Sequence, residues 1–276
     1  KIAAVPFHAW APDVYQGAAT PVASYLAVVS KAAGFAMLFR LFYTGFYGVG
    51  SQTYPLHDDM FLTLSVLAAA AMIVGNTMAL RQTNTKRLLA LSGVANAGYL
   101  LVPVVSQVDW FHASGFAELV YYLIAYLFMN MGLFAAIAIV SQAEGHEELS
   151  GFAGLYHRAP ATAFAIVLIV LSLAGIPVTG GFFGKLFILL GAVEMKLIWL
   201  ALVMIVTSVV SYYYYFGFIR QMFMRPGPET VQIRVSPALG AVLWISSVAG
   251  VLMGLFPNAL LAWLDTLFRF ATDFFA

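Results

Sequence analysis

Pro160–Val193 reads PATAFAIVLIVLSLAGIPVTGGFFGKLFILLGAV. About 20 mostly apolar residues cross roughly 30 Å of hydrocarbon at about 1.5 Å per residue, so this run is too long for one simple span. Its centre holds Gly175, Pro177, Gly180, Gly181 and Gly184, residue types that weaken or stop a helix. We read it as an interrupted membrane helix. Such helices persist at membrane depth only where protein or a wet cavity surrounds them, and in transporters they mark the ion path. Lys185 follows directly after the break.

Outward from this stretch the pattern repeats. Val22 to Tyr43, Met60 to Leu80, Leu88 to Val108, Phe116 to Val140, Leu197 to Ile219 and Pro237 to Phe256 are each long and apolar enough to span. Each must be helical, because lipid cannot satisfy an open backbone. Ile2 to Gln16 is too short, carries Pro6 and Pro12, and reads as the second half of another interrupted helix. The expected fold is an all-α membrane protein, a polytopic helical bundle with two broken helices, forming one unit over residues 1–276.

Composition excludes several classes. Of 276 residues, 62% are hydrophobic and 9% charged, against roughly 25% charged in soluble domains. A soluble globular chain is ruled out. The 13 basic and 12 acidic side chains nearly cancel and form no basic run, so nucleic acid is not an expected partner. Zero cysteines leave no disulfide, Cys-ligated zinc or iron–sulfur cluster, and no metal site is expected here. The first residues lack a signal-peptide pattern and start inside a motif without Met, so we expect a fragment with partners upstream.

Alternating the spans places the loops at 12–20, 81–87, 141–159 and 220–236 on one side, with Arg81, Lys86, Arg87, Arg158, Arg220, Arg225 and Arg234. The other side has Arg40, Lys196 and Arg269. By the excess of basic residues in cytoplasmic loops, the first set faces the cytoplasm and the C-terminus lies outside. Residues 258–276 place Asp265, Arg269 and Asp273 at four-residue spacing, one polar stripe on an apolar helix lying along the interface.

The remaining basic residues are Lys1, Lys31 and Lys185. Lys1 precedes Pro12 by 11 residues, Lys31 follows Pro21 by 10, and Lys185 precedes Glu194 by nine. Those offsets correspond to about 16, 15 and 13 Å of helix, near half the hydrocarbon thickness. A lysine stem covers only about 6 Å, so snorkelling suits Arg40 but not these three. A structural ion pair is the other reading. Central lysines cost roughly 2.5–3.5 kcal/mol each on insertion scales, and an amine that gains and loses a proton there suits a proton relay. No carboxylate lies at comparable depth: Glu118, three residues into its segment, reads as interfacial, and the counter-charge is expected upstream.

The run Lys1-Ile-Ala-Ala-Val-Pro-Phe-His-Ala-Trp-Ala-Pro-Asp-Val-Tyr-Gln-Gly-Ala, with Pro21-Val-Ala-Ser and Ser30-Lys31, is specific. It resembles the antiporter-like membrane subunits of respiratory complex I, the proton-pumping NADH:quinone oxidoreductase, and Pro12-Asp-Val-Tyr-Gln-Gly is most similar to their N branch. Lys86-Arg87-Leu-Leu-Ala to Ala97-Gly98-Tyr99, Phe128-Met129-Asn130-Met131-Gly132, and Leu173-Ala-Gly-Ile-Pro to Gly184-Lys185 fit the same family. The resemblance implies part of an inverted-repeat antiporter-like fold of fourteen helices, here from the break of the seventh onward. It implies that Lys1 is the central lysine of a first half-channel, paired with a glutamate upstream, that Lys31 links two half-channels, and that Lys185 opens outward. Asn96 stands where many relatives have histidine, so it would orient water rather than titrate, and Ala19 replaces a frequent proline. The implied partners are other complex I membrane subunits, including homologous antiporter-like ones, together with the lipid bilayer, protons and water. NADH, FMN, iron–sulfur clusters and quinone would belong to the assembled complex, with no cofactor in this chain. A bacterial inner membrane is the implied location.

Other signals carry less. Gly180-Gly-Phe-Phe-Gly184-Lys185-Leu186 lacks the Ser or Thr of a phosphate loop, and His146-Glu147-Glu148 lacks a second histidine for zinc. His8 reads equally as a packing hydrogen bond or a relay group. Asn76 and Asn130 read as bonds across helices or as water holders, and Tyr212 to Tyr215 with Trp199 as packing. The rival functions are a subunit of a multi-subunit sodium/proton antiporter, which Val14-Tyr15-Gln16 disfavours, and a passive membrane scaffold.

Overall fold

The computed structural model describes residues 1–42, 56–106, 115–227 and 233–269. Its helices are α1 (Trp10–Gly17), α2 (Thr20–Tyr25), α3 (Lys31–Arg40), α4 (Leu56–Ala79), α5 (Thr85–Val105), α6 (Gly115–Glu144), α7 (Leu155–Arg158), α8 (Pro160–Ala174), α9 (Gly180–Glu194), α10 (Ile198–Met224), α11 (Pro237–Leu255) and α12 (Pro257–Arg269). No strand occurs among the described residues. Among the described residues six helical segments are long and apolar enough to cross a membrane, and α8 is a shorter apolar helix. Tyr43 and Val108, taken as span ends, lie outside the described residues, as does Asp273.

Local chemistry sets the helix ends. Asn84 starts α5 by accepting from the Arg87 amide at 3.1 Å, and Ser236 starts α11 ahead of Pro237. At the long central run, α8 stops at Ala174 because Gly175 turns left-handed with φ 84°. The Gly175 amide then bonds Ser172 and the Ile176 amide bonds Leu171, both 3.0 Å, closing the last carbonyls of that turn. Pro177 cannot continue the helix, and Thr179 caps α9 by accepting from the Phe182 amide at 3.4 Å. One apolar run therefore becomes two helices end to end.

The N-terminal stretch departs from expectation. Helix begins only at Trp10, and residues 1–9 are coil and turn. Pro6 has no amide to donate, which denies this segment a regular helical ladder. The Thr20–Arg40 helix contains a wide, π-type turn over Leu26–Ser30, immediately before Lys31. Such turns re-aim side chains and recur at functional positions.

α5 is the axis of the bundle: its helix is enclosed on all sides, packed by α1, α4, α6 and α9. Glycines set how close its neighbours come. A side chain at Gly98 would stand 2.6 Å from the Ala68 carbonyl of α4, so only the missing Cβ permits that approach. At the α5 N-terminus the four loop segments 12–20, 81–87, 141–159 and 220–236 meet. Lys86 Nζ contacts the Ala18 carbonyl at 2.8 Å and Glu147 at 2.5 Å, Arg87 bonds Asp13 at 2.5 Å and Gln16 at 2.9 Å, and Gly154 donates to Gln221 at 3.1 Å. Arg158 pairs with Glu144 and bonds the Ala153 carbonyl at 2.8 Å. α12 carries exposed Trp263 and Leu267 with Leu264 tucked inward, an arrangement suited to an interface helix.

Candidate functional site

Ser92, Asn96 and Tyr99 recur at four and three residues along α5, so they share one face of an otherwise apolar helix. That face is buried and meets polar groups from three other helices. Ser92 Oγ lies 2.5 Å from Tyr215 Oη of α10. Asn96 Nδ2 donates to the Ser92 carbonyl at 2.8 Å, while its Oδ1 accepts from Tyr122 Oη of α6 at 2.5 Å. Tyr99 Oη donates to Thr207 at 3.2 Å and receives Asn76 Nδ2 at 3.4 Å, and Tyr214 Oη donates to Asn76 Oδ1 at 2.8 Å. In a low-dielectric interior such chains must be satisfied end to end.

A lysine stands at each side of this chain. Lys31, 1% exposed, sends its ammonium from the residue after the wide turn to the Gly93 carbonyl and lies 5.6 Å from the centre of the Tyr126 ring. A side chain at Gly93 would stand 3.2 Å from Lys31 Nζ and 3.1 Å from Tyr126 Oη, so both polar tips use the space it leaves. Tyr126 Oη is buried with no hydrogen-bond partner among the described residues. Lys185, 8% exposed, donates to the Leu173 and Ala174 carbonyls at 3.0 and 3.3 Å and sits 5.2 Å from the Tyr99 ring centre. Those carbonyls are the C-terminal end of α8, the negative pole of a half-helix. The break thus makes its own cation cradle, and the ring face adds a second attraction. Gly93 and Tyr99, which the two amines meet, lie two and four residues from Ala95, the middle of α5, about 3 and 6 Å along its axis.

Among the described residues neither Lys31 nor Lys185 forms an ion pair. Lys1 is exposed, with its Cβ 3.6 Å from where a Gly34 side chain would begin, one turn beyond Lys31. Its depth cannot be counted by helical rise, because its segment is not helical. For the same reason His8 does not share a helix face with Lys1. It is half-buried in the turn before α1, its Nδ1 without a hydrogen-bond partner among the described residues. Asn130 is 1% exposed and bonds the Tyr126 carbonyl of its own helix at 2.9 Å, in place of the expected bond across helices. Asn76 does bond across helices.

The sequence reading missed Ser92, Tyr99, Tyr122 and Tyr126, and took Tyr212 to Tyr215 as packing. Tyr213 is exposed, whereas Tyr214 and Tyr215 turn inward with their hydroxyls in the polar chain. The available signal was the Ser92–Asn96–Tyr99 spacing. Glu118, read as interfacial, is covered by protein and only 3% exposed. A 200 Å³ cavity lined by Gly175, Lys185, Ser208 and Tyr212 runs beside Lys185 between α9 and α10.

The family model described as "NADH:quinone oxidoreductase/Mrp antiporter, TM" matches residues 1–211. Among curated relatives, the NADH-quinone oxidoreductase subunit N of a Paenibacillus species is 54% identical over 277 aligned positions, covering 100% of this chain and 53% of that one. The chain therefore spans about half the length of the relatives it matches. Among solved structures, a chain of respiratory complex I from Thermus thermophilus with bound aureothin is 33% identical with TM-score 0.77, covering 95% of this chain and 55% of that chain. A chain of the Mrp complex from a Dietzia species shares the fold, with TM-score 0.85 at 22% identity, over 96% of this chain and 56% of its own. With more than half of its residues under that family model, the chain belongs to the NADH:quinone oxidoreductase/Mrp antiporter membrane family.

Proposed function

We propose that this chain is the proton-carrying part of a membrane subunit in a complex I type enzyme, with Lys1, Lys31 and Lys185 as relay amines. One observation carries the reading: two buried amines are held by backbone carbonyls and aromatic faces in the interior of the bundle, with no carboxylate fixing either as an ammonium among the described residues. Carbonyls release a proton-depleted amine, whereas a buried carboxylate left unpaired costs several kcal/mol. On this reading a proton reaches Lys1 from the arginine-rich cytoplasmic end, moves to Lys31, crosses the Ser92–Asn96–Tyr122 hydroxyls and amides with water, and reaches Lys185. Asn96 and Asn130 orient water, and His8 assists near Lys1.

Energy would come from redox chemistry in other subunits. NADH, FMN, iron–sulfur clusters and quinone belong to those subunits, and the partners here are lipid and neighbouring membrane subunits in a bacterial inner membrane, with the C-terminus outside. The likeness in fold to the Mrp chain keeps a sodium/proton antiporter subunit as the second reading. The subunit N relatives, up to 54% identical, favour the first. Co-purification with flavin and iron–sulfur proteins separates them. In the assembled complex, Lys31→Ala and Lys185→Ala should each lower protons moved per electron, measured in sealed vesicles driven by NADH. Unchanged stoichiometry in both variants overturns the relay and leaves a passive scaffold.

A further inference from the structure

We propose that Glu118 is the carboxylate that receives protons from Lys185 and passes them to the face of the bundle opposite the arginine-rich loops, an inference that rests on the relay reading. Glu118 lies one turn before Tyr122 on α6, the tyrosine that bonds Asn96. Both side chains face glycines of α9. A side chain at Gly184 would meet the Tyr122 ring, and one at Gly191 would stand 3.1 Å from Glu118 Oε2 and 3.9 Å from Ser106 Oγ. The carboxyl group therefore lies in the seam between α6, α9 and the end of α5, reached only because Gly191 has no side chain.

A structural role does not account for this choice of residue. A buried carboxylate is costly without a cation or several donors. Among the described residues Glu118 forms no ion pair, and its charged neighbour is another carboxylate, Glu194, at the end of α9. Glutamine or leucine would fill the same seam without charge. Its position suits transfer instead. From Lys185 to Gly191 is six residues of α9, about 9 Å, too far for direct contact but within a short water chain. Gly115, where α6 begins, lies three residues further toward that face. In the step, one N–H bond of the Lys185 ammonium breaks, leaving the amine. One O–H bond forms at Glu118, giving the neutral acid, which then loses the proton to water at that face. No electron moves.

The test uses the assembled complex in sealed vesicles, with native gels checking assembly and Lys185→Ala measured in parallel. Glu118→Gln should cut proton transport per electron at least about threefold, and Glu118→Asp should restore part of it. Transport at the parental level in Glu118→Gln overturns the proposal, provided Lys185→Ala is impaired. If Lys185→Ala also transports normally, the relay reading itself falls. Should Glu118→Gln not assemble, Glu118→Asp decides alone: slowed transport supports the proposal and an unchanged rate overturns it.

Discussion

Replacing Gly175 by alanine tests whether the helix break holds Lys185 in place. Gly175 has φ 84°, a left-handed conformation that costs an alanine about 1–2 kcal/mol. The new methyl would stand 3.2 Å from Lys185 Cδ and 3.4 Å from Nζ, tight enough to shift the stem. If the ammonium leaves either the Leu173 or the Ala174 carbonyl, a further 1.5–3 kcal/mol or so is lost for each charged hydrogen bond. Gly145→Ala shows the first effect alone, because Gly145 has φ 77° but nothing within 4 Å of its would-be side chain. Both variants should lose the same backbone contribution in thermal melts of the purified complex. Only Gly175→Ala should melt lower still and lose proton transport. If the two variants melt and pump alike, the α8 carbonyls do not position Lys185 and the cradle argument fails.

Two further outcomes follow from the same geometry. Tyr122→Phe removes the hydroxyl donated to Asn96 and leaves a buried carbonyl oxygen unsatisfied, costing about 1–3 kcal/mol and slowing transport. Tyr213→Phe, on an exposed residue, should change stability by less than about 0.5 kcal/mol, and equal melts for the pair would contradict the polar chain. Arg158→Ala strands the Glu144 carboxylate, whose side chain is 10% exposed, at a cost of about 3–5 kcal/mol. Limited proteolysis should then cut residues 141–159 faster than in the parent chain, and an unchanged cleavage rate would show that the pair does not hold that end together.

The span boundaries were legible because lipid admits few backbone solutions and each helix needs about 20 apolar residues whatever it packs against. The break after Ala174 was legible too, since Gly175 and Pro177 act through their own backbones. The four segments grouped on one side by alternation and charge do meet at one end of the bundle. Residues 1–9 read as a half-helix because they are an apolar run with one proline, and only the tertiary structure decides that regular helical hydrogen bonding starts at Trp10.

Distance along a helix follows from sequence, because helical rise is fixed, and Lys31 and Lys185 are both buried within helical segments, as counting along the chain suggests. Which helix faces which does not follow, because a nearly all-apolar helix such as α5 carries too weak a pattern to say which side meets a partner. Packing alone decided that Ser92 meets Tyr215, that Asn96 meets Tyr122, that Tyr99 meets Thr207, that Lys185 turns back onto the end of α8, and that Glu118 is enclosed against Gly191. Those are contacts between positions up to 123 residues apart, fixed by glycines and ring shapes across neighbouring helices rather than by any local preference of the chain.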